Sequence, residues 1–188
     1  MNCFELQSVQ FQYKDSKHIV ESGNLQLFAD EGFIIDGPNG SGKSTLLKLL
    51  AGLLEPQKGR ILWNSIPLSQ VDRRKTPFVY VHAEPYIFRG TVLENLEMAI
   101  SWAHVPSSER FRRIRQAMET FGLGDIAALR HCELSTGQRR KLALARAFAV
   151  HPAVVLLDEP SSGLDTDSRE ELAACLGALH AQGIGLAT

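Results

Sequence analysis

Apolar and polar residues alternate through Val9-Gln10-Phe11-Gln12-Tyr13 and again through Leu25-Gln26-Leu27-Phe28, across a polar stretch holding Gly23 and Asn24. A period of two puts successive side chains on opposite faces of an extended backbone, so the pattern predicts two half-buried antiparallel strands. Phe33-Ile34-Ile35 is a short apolar run halted by Gly37-Pro38-Asn39-Gly40, and Thr45 to Gly52 has the length and closing glycine of a helix. That order is strand, glycine-rich loop, helix. Arg60 to Trp63 and Phe78 to Val81 predict two further strands, the second barely alternating, as in a strand covered on both faces.

From Thr91 the period lengthens. Val92, Leu93, Leu96 and Ile100 recur at helical spacing, and Ser107-Ser108-Glu109 can open a second helix carrying Phe111, Ile114, Met118 and Phe121. Residues 84–134 thus read as a helical insertion. Gly137 to Val150 is a further helix ended by His151-Pro152, Val154 to Leu157 a fully apolar strand, Ser168 to Leu179 a helix closing near Gly183, and Ile184 to Thr188 a last strand. Internal repeats and low-complexity tracts are absent from the sequence.

Composition narrows the class. The 188 residues are 44% hydrophobic and 22% charged, with a mean hydropathy of −0.08, values of a globular chain. There is no run of about 18 apolar residues to cross a bilayer, so any membrane role is expected to be peripheral. A net charge of −1 gives no global attraction to nucleic acid or anionic lipid. Cys3, Cys132 and Cys175 are widely spaced without zinc-ligand or disulfide-framework spacing, and Met1 to Glu5 lacks the features of a secretory signal; both favour a reducing cytosol.

Gly37-Pro38-Asn39-Gly40-Ser41-Gly42-Lys43-Ser44 satisfies G-x-x-x-x-G-K-[ST] between an apolar strand and a helix. Glycines let consecutive N–H groups and the helix N-terminus face a phosphate, Lys43 adds a cation near the β/γ-phosphates, and Ser44 adds a hydroxyl ligand for Mg²⁺. A nucleoside triphosphate is implied; the alternative is an ordinary glycine-rich turn before a helix. Asp36 beside the loop must direct its charge away from an anion, which strand alternation permits. The strand Val154 to Leu157 ends in Asp158-Glu159, placing two carboxylates at the carboxyl edge of a sheet. Asp158 is a candidate Mg²⁺ ligand through water, and Glu159 a candidate general base toward an attacking water. Alone, such a pair is equally a strand end before a turn.

Leu134-Ser135-Thr136-Gly137-Gln138, followed by Arg139 to Ala147, resembles the LSGGQ signature and signature helix of ATP-binding-cassette (ABC) proteins, with Thr136 for the first Gly. Ser162-Gly163-Leu164-Asp165 resembles that family's D-loop, and the order and spacing of motifs agree over nearly the whole chain. The resemblance implies an α/β fold with a P-loop NTPase (ABC ATPase) core, an N-terminal antiparallel β subdomain and a helical subdomain insertion. All 188 residues would form a single nucleotide-binding domain, with 1–83 and 135–188 as β subdomain plus core and 84–134 as helical subdomain. It implies ATP and Mg²⁺ as cofactors and a second ABC domain as partner, two nucleotides being sandwiched head to tail. Thr45 joins the phosphate loop's contacts, Ser135, Gly137 and Gln138 belong to the signature turn facing the γ-phosphate across that interface, and Tyr13 falls where an aromatic stacks on adenine. Ser135 is also a plain helix N-cap with Gln138 closing a capping box, and Tyr13 a strand residue packing on its neighbours.

The segment Glu84 to Leu96 resembles the stretch that follows the Q-loop and, in transporters, receives a helix of the membrane subunit. The expected protein is therefore the ATP-binding and hydrolysing subunit of a membrane transporter, partnered by transmembrane subunits, cytoplasmic and peripheral on the cell membrane, without a nucleic acid partner. Two departures bear on turnover: the Q-loop glutamine is Ala83, preceded by His82 as a possible substitute, and the sequence ends at Thr188 before a switch histidine. They motivate an alternative, a slow or hydrolysis-deficient ATP-binding regulatory module; a soluble non-transport ABC protein is a third reading. Arg110, Arg112, Arg113 and Arg115 read as a solvated helix face, and Trp63 and Trp102 as packing residues.

Overall fold

The computed structural model describes residues 2–14, 19–72 and 78–188. Its first layer is an antiparallel sheet built on one long strand, β1 (Cys3–Gln12), which pairs with β2 (Ile19–Glu21), β3 (Leu25–Phe28) and β4 (Lys58–Trp63); β4 continues to β5 (Ile66–Pro67). The register Cys3↔Phe28 to Leu6↔Leu25 fixes the predicted antiparallel pairing, but through the first half of β1 rather than Val9 to Tyr13. The second half pairs with β2 from Gln10↔Glu21 to Gln12↔Ile19, a strand too short to announce itself in the sequence.

One residue explains why β1 is longer than its alternation suggests. Ser8 has φ of 49°, and the pairing with β4 shifts between Gln7 and Gln10. The bulge inserts a residue and exchanges the parity of the inward face, so Phe4 and Leu6 point inward before it and Val9 after it, each at most 1% exposed. At the other end, Asn64 and Ser65, with φ of 50° and 65°, make the two-residue turn between β4 and β5.

The second layer is parallel: β6 (Phe78–Val81), β7 (Val154–Leu157) and β8 (Gly185–Ala187), with β7 central. Phe33 pairs in parallel with Ala187, and the Ile35 N–H donates to Thr188 O at 2.6 Å, so the backbone leading into the glycine-rich loop runs along the free side of β8. The helices are α1 (Lys43–Leu50), α2 (Val92–Trp102), α3 (Ser107–Thr120), α4 (Thr136–Val150) and α5 (Thr166–Ala181).

Two apolar clusters meet at β7, whose four residues are all fully buried. Val154 and Leu156 join Phe4, Trp63, Phe78 and the Leu47, Leu49 and Leu50 face of α1. Val155 and Leu157 join α2, α4 and α5 on the opposite face. Full burial is why β7 reads as an unbroken apolar run. Helix α4 is likewise covered on most sides, from Leu142 to Ala149, and explains its alanines: small residues let α2 and α3 approach.

The helical region is anchored by local chemistry. Thr91 Oγ1 accepts from Glu94 N at 3.1 Å while Glu94 Oε2 accepts from Thr91 N at 2.7 Å, a reciprocal cap at the start of α2. Asn95, fully buried, donates to the carbonyls of Phe88 and Thr91 and accepts from Phe88 N, fixing the incoming loop to α2. The arginines of α3 are spent locally: Arg113 on Glu109 and the Val150 carbonyl at the end of α4, Arg115 on Glu119, and Arg110 on Val105 O. None of the described helices is long and apolar enough to cross a membrane.

Candidate functional site

The glycine-rich loop leaves the backbone beside β8 and enters α1 directly. Gly42 is the N-cap of α1 with φ of 100°, and a Cβ built there would lie 2.6 Å from Val20 Cγ2; both facts require glycine. The helix starts at Lys43, earlier than Thr45, so its unpaired first-turn N–H groups belong to the loop itself. Lys43 Nζ donates to Gly37 O at 2.7 Å and Pro38 O at 3.1 Å, which draws the ammonium back over residues 37–38. The exposed Asp36 carboxylate accepts from the Gly37 N–H at 2.7 Å.

Ser44 and Asp158 are brought together from opposite ends of the sequence. Ser44 Oγ donates to Asp158 Oδ1 at 2.6 Å, joining α1 to the carboxyl end of β7. Asp158 is 7% exposed. A hydroxyl and a carboxylate are hard oxygen donors of the kind Mg²⁺ takes, and with no cluster of three or more His, Cys, Asp or Glu suited to a metal among the described residues, the remaining ligands would be phosphate oxygens and water. Glu159 is exposed, with φ of 46°, and its carbonyl accepts from Ser162 N in the turn after β7. A glutamate in left-handed backbone is strained, a cost tolerated where a side chain must be aimed.

A residue unassigned from sequence completes this centre. Tyr80 Oη donates to the other oxygen of Asp158, Oδ2, at 2.6 Å. Burial, then the hydrogen bond and charge of Asp158, push the Tyr80 phenol well above its usual range, so it stays protonated and a donor. Its one sequence signal is a hydroxyl in an otherwise apolar strand. His82 packs its ring against that of Tyr80 at 4.5 Å, nearly perpendicular. It makes no hydrogen bond to Asp158 or Glu159 among the described residues.

Beside the loop, Tyr13 is 45% exposed and stands edge-on to Phe11 at 4.9 Å. With Phe11, Ile19, Val20, Gly40, Ser41, Gly42 and Thr45 it lines a cleft of about 250 Å³. Pro38 and Asn39 are exposed at the loop's tip. On the far side, Ser135 caps α4: its Oγ accepts from Gln138 N at 3.2 Å and Gln138 Oε1 accepts from Ser135 N at 2.9 Å. The Gln138 oxygen is thus occupied within its own turn, while Gly137 leaves an open N-terminus. Among the described residues, none of the hydrogen bonds of this turn reaches residues 37–45.

A second concavity, about 300 Å³, lies where β6 meets α2 and α4, walled by Tyr80, Tyr86, Phe88, Trp102 and Arg146. Tyr86 and Trp102 are 67% and 58% exposed, so Trp102 is a wall residue rather than core packing, unlike the buried Trp63. Arg146, missed in the sequence, donates to Tyr86 O at 2.7 Å and lies over the Phe88 ring at 4.8 Å. Burial lowers its pKa to about 10, leaving it charged at neutral pH.

Phe33 to Ile35 form not the expected strand but an extended segment held on β8 by one isolated bridge and backbone hydrogen bonds. That segment, a phosphate-type loop and a helix, with a carboxylate from the central parallel strand hydrogen-bonded to the loop's serine, define a P-loop nucleotide-binding domain. Residues 20–162 match the family model described as ABC transporter, and the chain belongs to that family. It is 40% identical over 168 residues to an uncharacterized ABC transporter ATP-binding protein of Thermotoga maritima, covering 85% of this chain and 71% of that one. The Oenococcus oeni energy-coupling factor transporter ATP-binding protein EcfA1 is 33% identical, with 92% of this chain and 64% of the relative covered. A dimeric ATP-binding cassette solved in a post-hydrolysis state with ADP and Pi superposes with a TM-score of 0.80 at 28% identity, over 98% of this chain and 87% of that chain. This is an ABC ATP-binding domain, of a family whose ATP-binding subunits are ATPases.

Proposed function

We propose that this chain is the ATP-binding and hydrolysing subunit that powers a membrane transporter, by closing head to tail on a second ABC domain. The observation that carries the reading is the 2.6 Å contact between Ser44 and Asp158, which puts the phosphate-loop hydroxyl and the carboxylate of β7 at one point. In this reading Tyr13 stacks on adenine, the loop N–H groups from Asn39 to Thr45 and the Lys43 ammonium hold the phosphates, and Ser44 and Asp158 would hold Mg²⁺, which would supply charge to neutralise the phosphates. Glu159 polarises a water for in-line attack on the γ-phosphate. The Ser135–Gly137 turn of the second cassette offers its hydroxyl and N–H groups to the same phosphate. That, among the described residues, no hydrogen bond of the turn goes to its own chain's loop supports an interface role.

The groove walled by Tyr86, Phe88 and Trp102 is the seat assigned to a helix of the transmembrane subunit, its exposed aromatics supplying apolar area and Arg146 a half-buried positive charge. Docking there places the chain on the cytoplasmic face of a membrane. Light scattering tests closure. Glu159→Gln, which keeps the nucleotide but loses the base, is expected to double in mass with Mg²⁺–ATP; a mass unchanged by ATP contradicts head-to-tail closure. A second reading, an ATP-binding module that cycles slowly, is favoured by Ala83, whose methyl group cannot orient water. Steady-state phosphate release separates the two.

A further inference from the structure

The Asp158 carboxylate has two oxygens, and each is held by a different element. Oδ1 accepts from Ser44 on α1, and Oδ2 from the Tyr80 hydroxyl on β6, both at 2.6 Å. The parallel register sets Tyr80 opposite Leu156, two residues before Asp158, and the Asp158 N–H donates to Val81 O at 3.0 Å. Backbone and side chain of Asp158 are therefore both tied to β6, and its carboxylate plane is fixed by donors on either side. A hydroxyl donating to a carboxylate oxygen at 2.6 Å is a charge-assisted hydrogen bond, the strong and directional kind.

We propose that Tyr80 is a positioning residue for metal binding: its hydroxyl holds Oδ2 so that Oδ1 faces the position shared with Ser44, where Mg²⁺ and the phosphate oxygens would meet. This rests on the reading of Ser44 and Asp158 as the metal-side residues. The contact's geometry leaves one oxygen for the cation rather than letting both rotate toward it, as Mg²⁺ requires of its few protein ligands. His82 packs edge-on against the ring at 4.5 Å, adding a side-chain contact beside the hydrogen-bonded pair. The Tyr80 ring packs against the apolar cluster shared by α1 and the antiparallel sheet, so Tyr80→Phe keeps that packing and removes the hydrogen bond alone.

The test measures binding without turnover. A fluorescent, non-hydrolysable ATP analogue is titrated into the full chain at rising Mg²⁺ concentrations and again in EDTA, for wild type and Tyr80→Phe, with thermal unfolding of both recorded. The wild type is expected to bind the analogue more tightly with Mg²⁺. In Tyr80→Phe the Mg²⁺ concentration for half-maximal effect should rise about tenfold, while affinity in EDTA and the unfolding cooperativity stay as in wild type. An unchanged Mg²⁺ midpoint overturns the proposal, even if Tyr80→Phe is less stable, because the hydroxyl would then serve packing only. A parallel loss of affinity in EDTA and Mg²⁺ overturns it as well. A wild type indifferent to Mg²⁺ would overturn the metal-side reading of Ser44 and Asp158 first, and this inference with it.

Discussion

At the scale of single residues, the chemistry divides into groups placed by their own motif and groups placed by neighbours. Lys43 and Ser44 sit where they do because Gly37, Gly40 and Gly42 turn the chain into α1, so a seven-residue spacing carries the whole arrangement and was legible in the sequence. Lys43→Ala is expected to weaken nucleotide binding at least tenfold by equilibrium titration, since it removes a cation drawn to the loop carbonyls. Tyr80 and Arg146 were not legible. Each owes its role to a contact with a residue far away in the sequence, Asp158 and Tyr86, and no local pattern encodes that proximity. Glu159 adds a prediction about strain. Its φ of 46° with an exposed side chain means that glycine suits the backbone better than alanine, so Glu159→Gly should be about 1 kcal/mol more stable than Glu159→Ala in thermal or urea unfolding. Equal stabilities would show that the backbone relaxes when the side chain is lost.

At the scale of elements, helix positions were read well because caps and periodicity are local. The Thr91–Glu94 and Ser135–Gln138 boxes start α2 at Val92 and α4 at Thr136, within a residue of the starts expected from sequence. Thr91→Ala is expected to cost about 1 kcal/mol, seen as a fall of roughly 2–4 °C in the unfolding midpoint for a chain of this size. Asn95→Ala should cost more, about 2–4 kcal/mol, because it strands the Phe88 N–H and two carbonyls inside the protein. Helix α5 begins at Thr166 rather than Ser168, its N-cap Asp165 accepting from the Ser168 N–H at 2.8 Å. The Ser168 side chain and then its N–H lower the Asp165 pKa, so the cap's contribution is present above the ordinary carboxylate pKa of 3.8 and is lost as pH falls through the lower folded value. Strands were read less well. The bulge at Ser8 hides half of β1 from a search for strict alternation, and β2 is only three residues long.

At the scale of the whole molecule, the fold is two apolar clusters sharing β7, and the site is the carboxyl end of that shared strand. Val154 and Leu156 pack toward the antiparallel layer and α1, which carries the phosphate loop; Val155 and Leu157 pack toward the helices that carry the signature turn and the aromatic groove. Asp158 and Glu159 emerge where both packings end. The sequence showed the alternation of strands and helices, but the way β7 joins the two halves depends on long-range burial that no single segment announces. This arrangement supports the reading in which groove, signature and phosphate loop act on one another through a small rigid centre.

The most direct test of that reading is phosphate release from Mg²⁺–ATP by the purified chain, measured side by side for wild type, Lys43→Ala and Glu159→Gln. The account predicts steady release by wild type and a fall of at least a hundredfold in both variants, with Glu159→Gln still binding nucleotide and Lys43→Ala failing to. Release by Glu159→Gln at the wild-type rate would contradict the assignment of the base, and undiminished nucleotide binding by Lys43→Ala would contradict the phosphate loop itself.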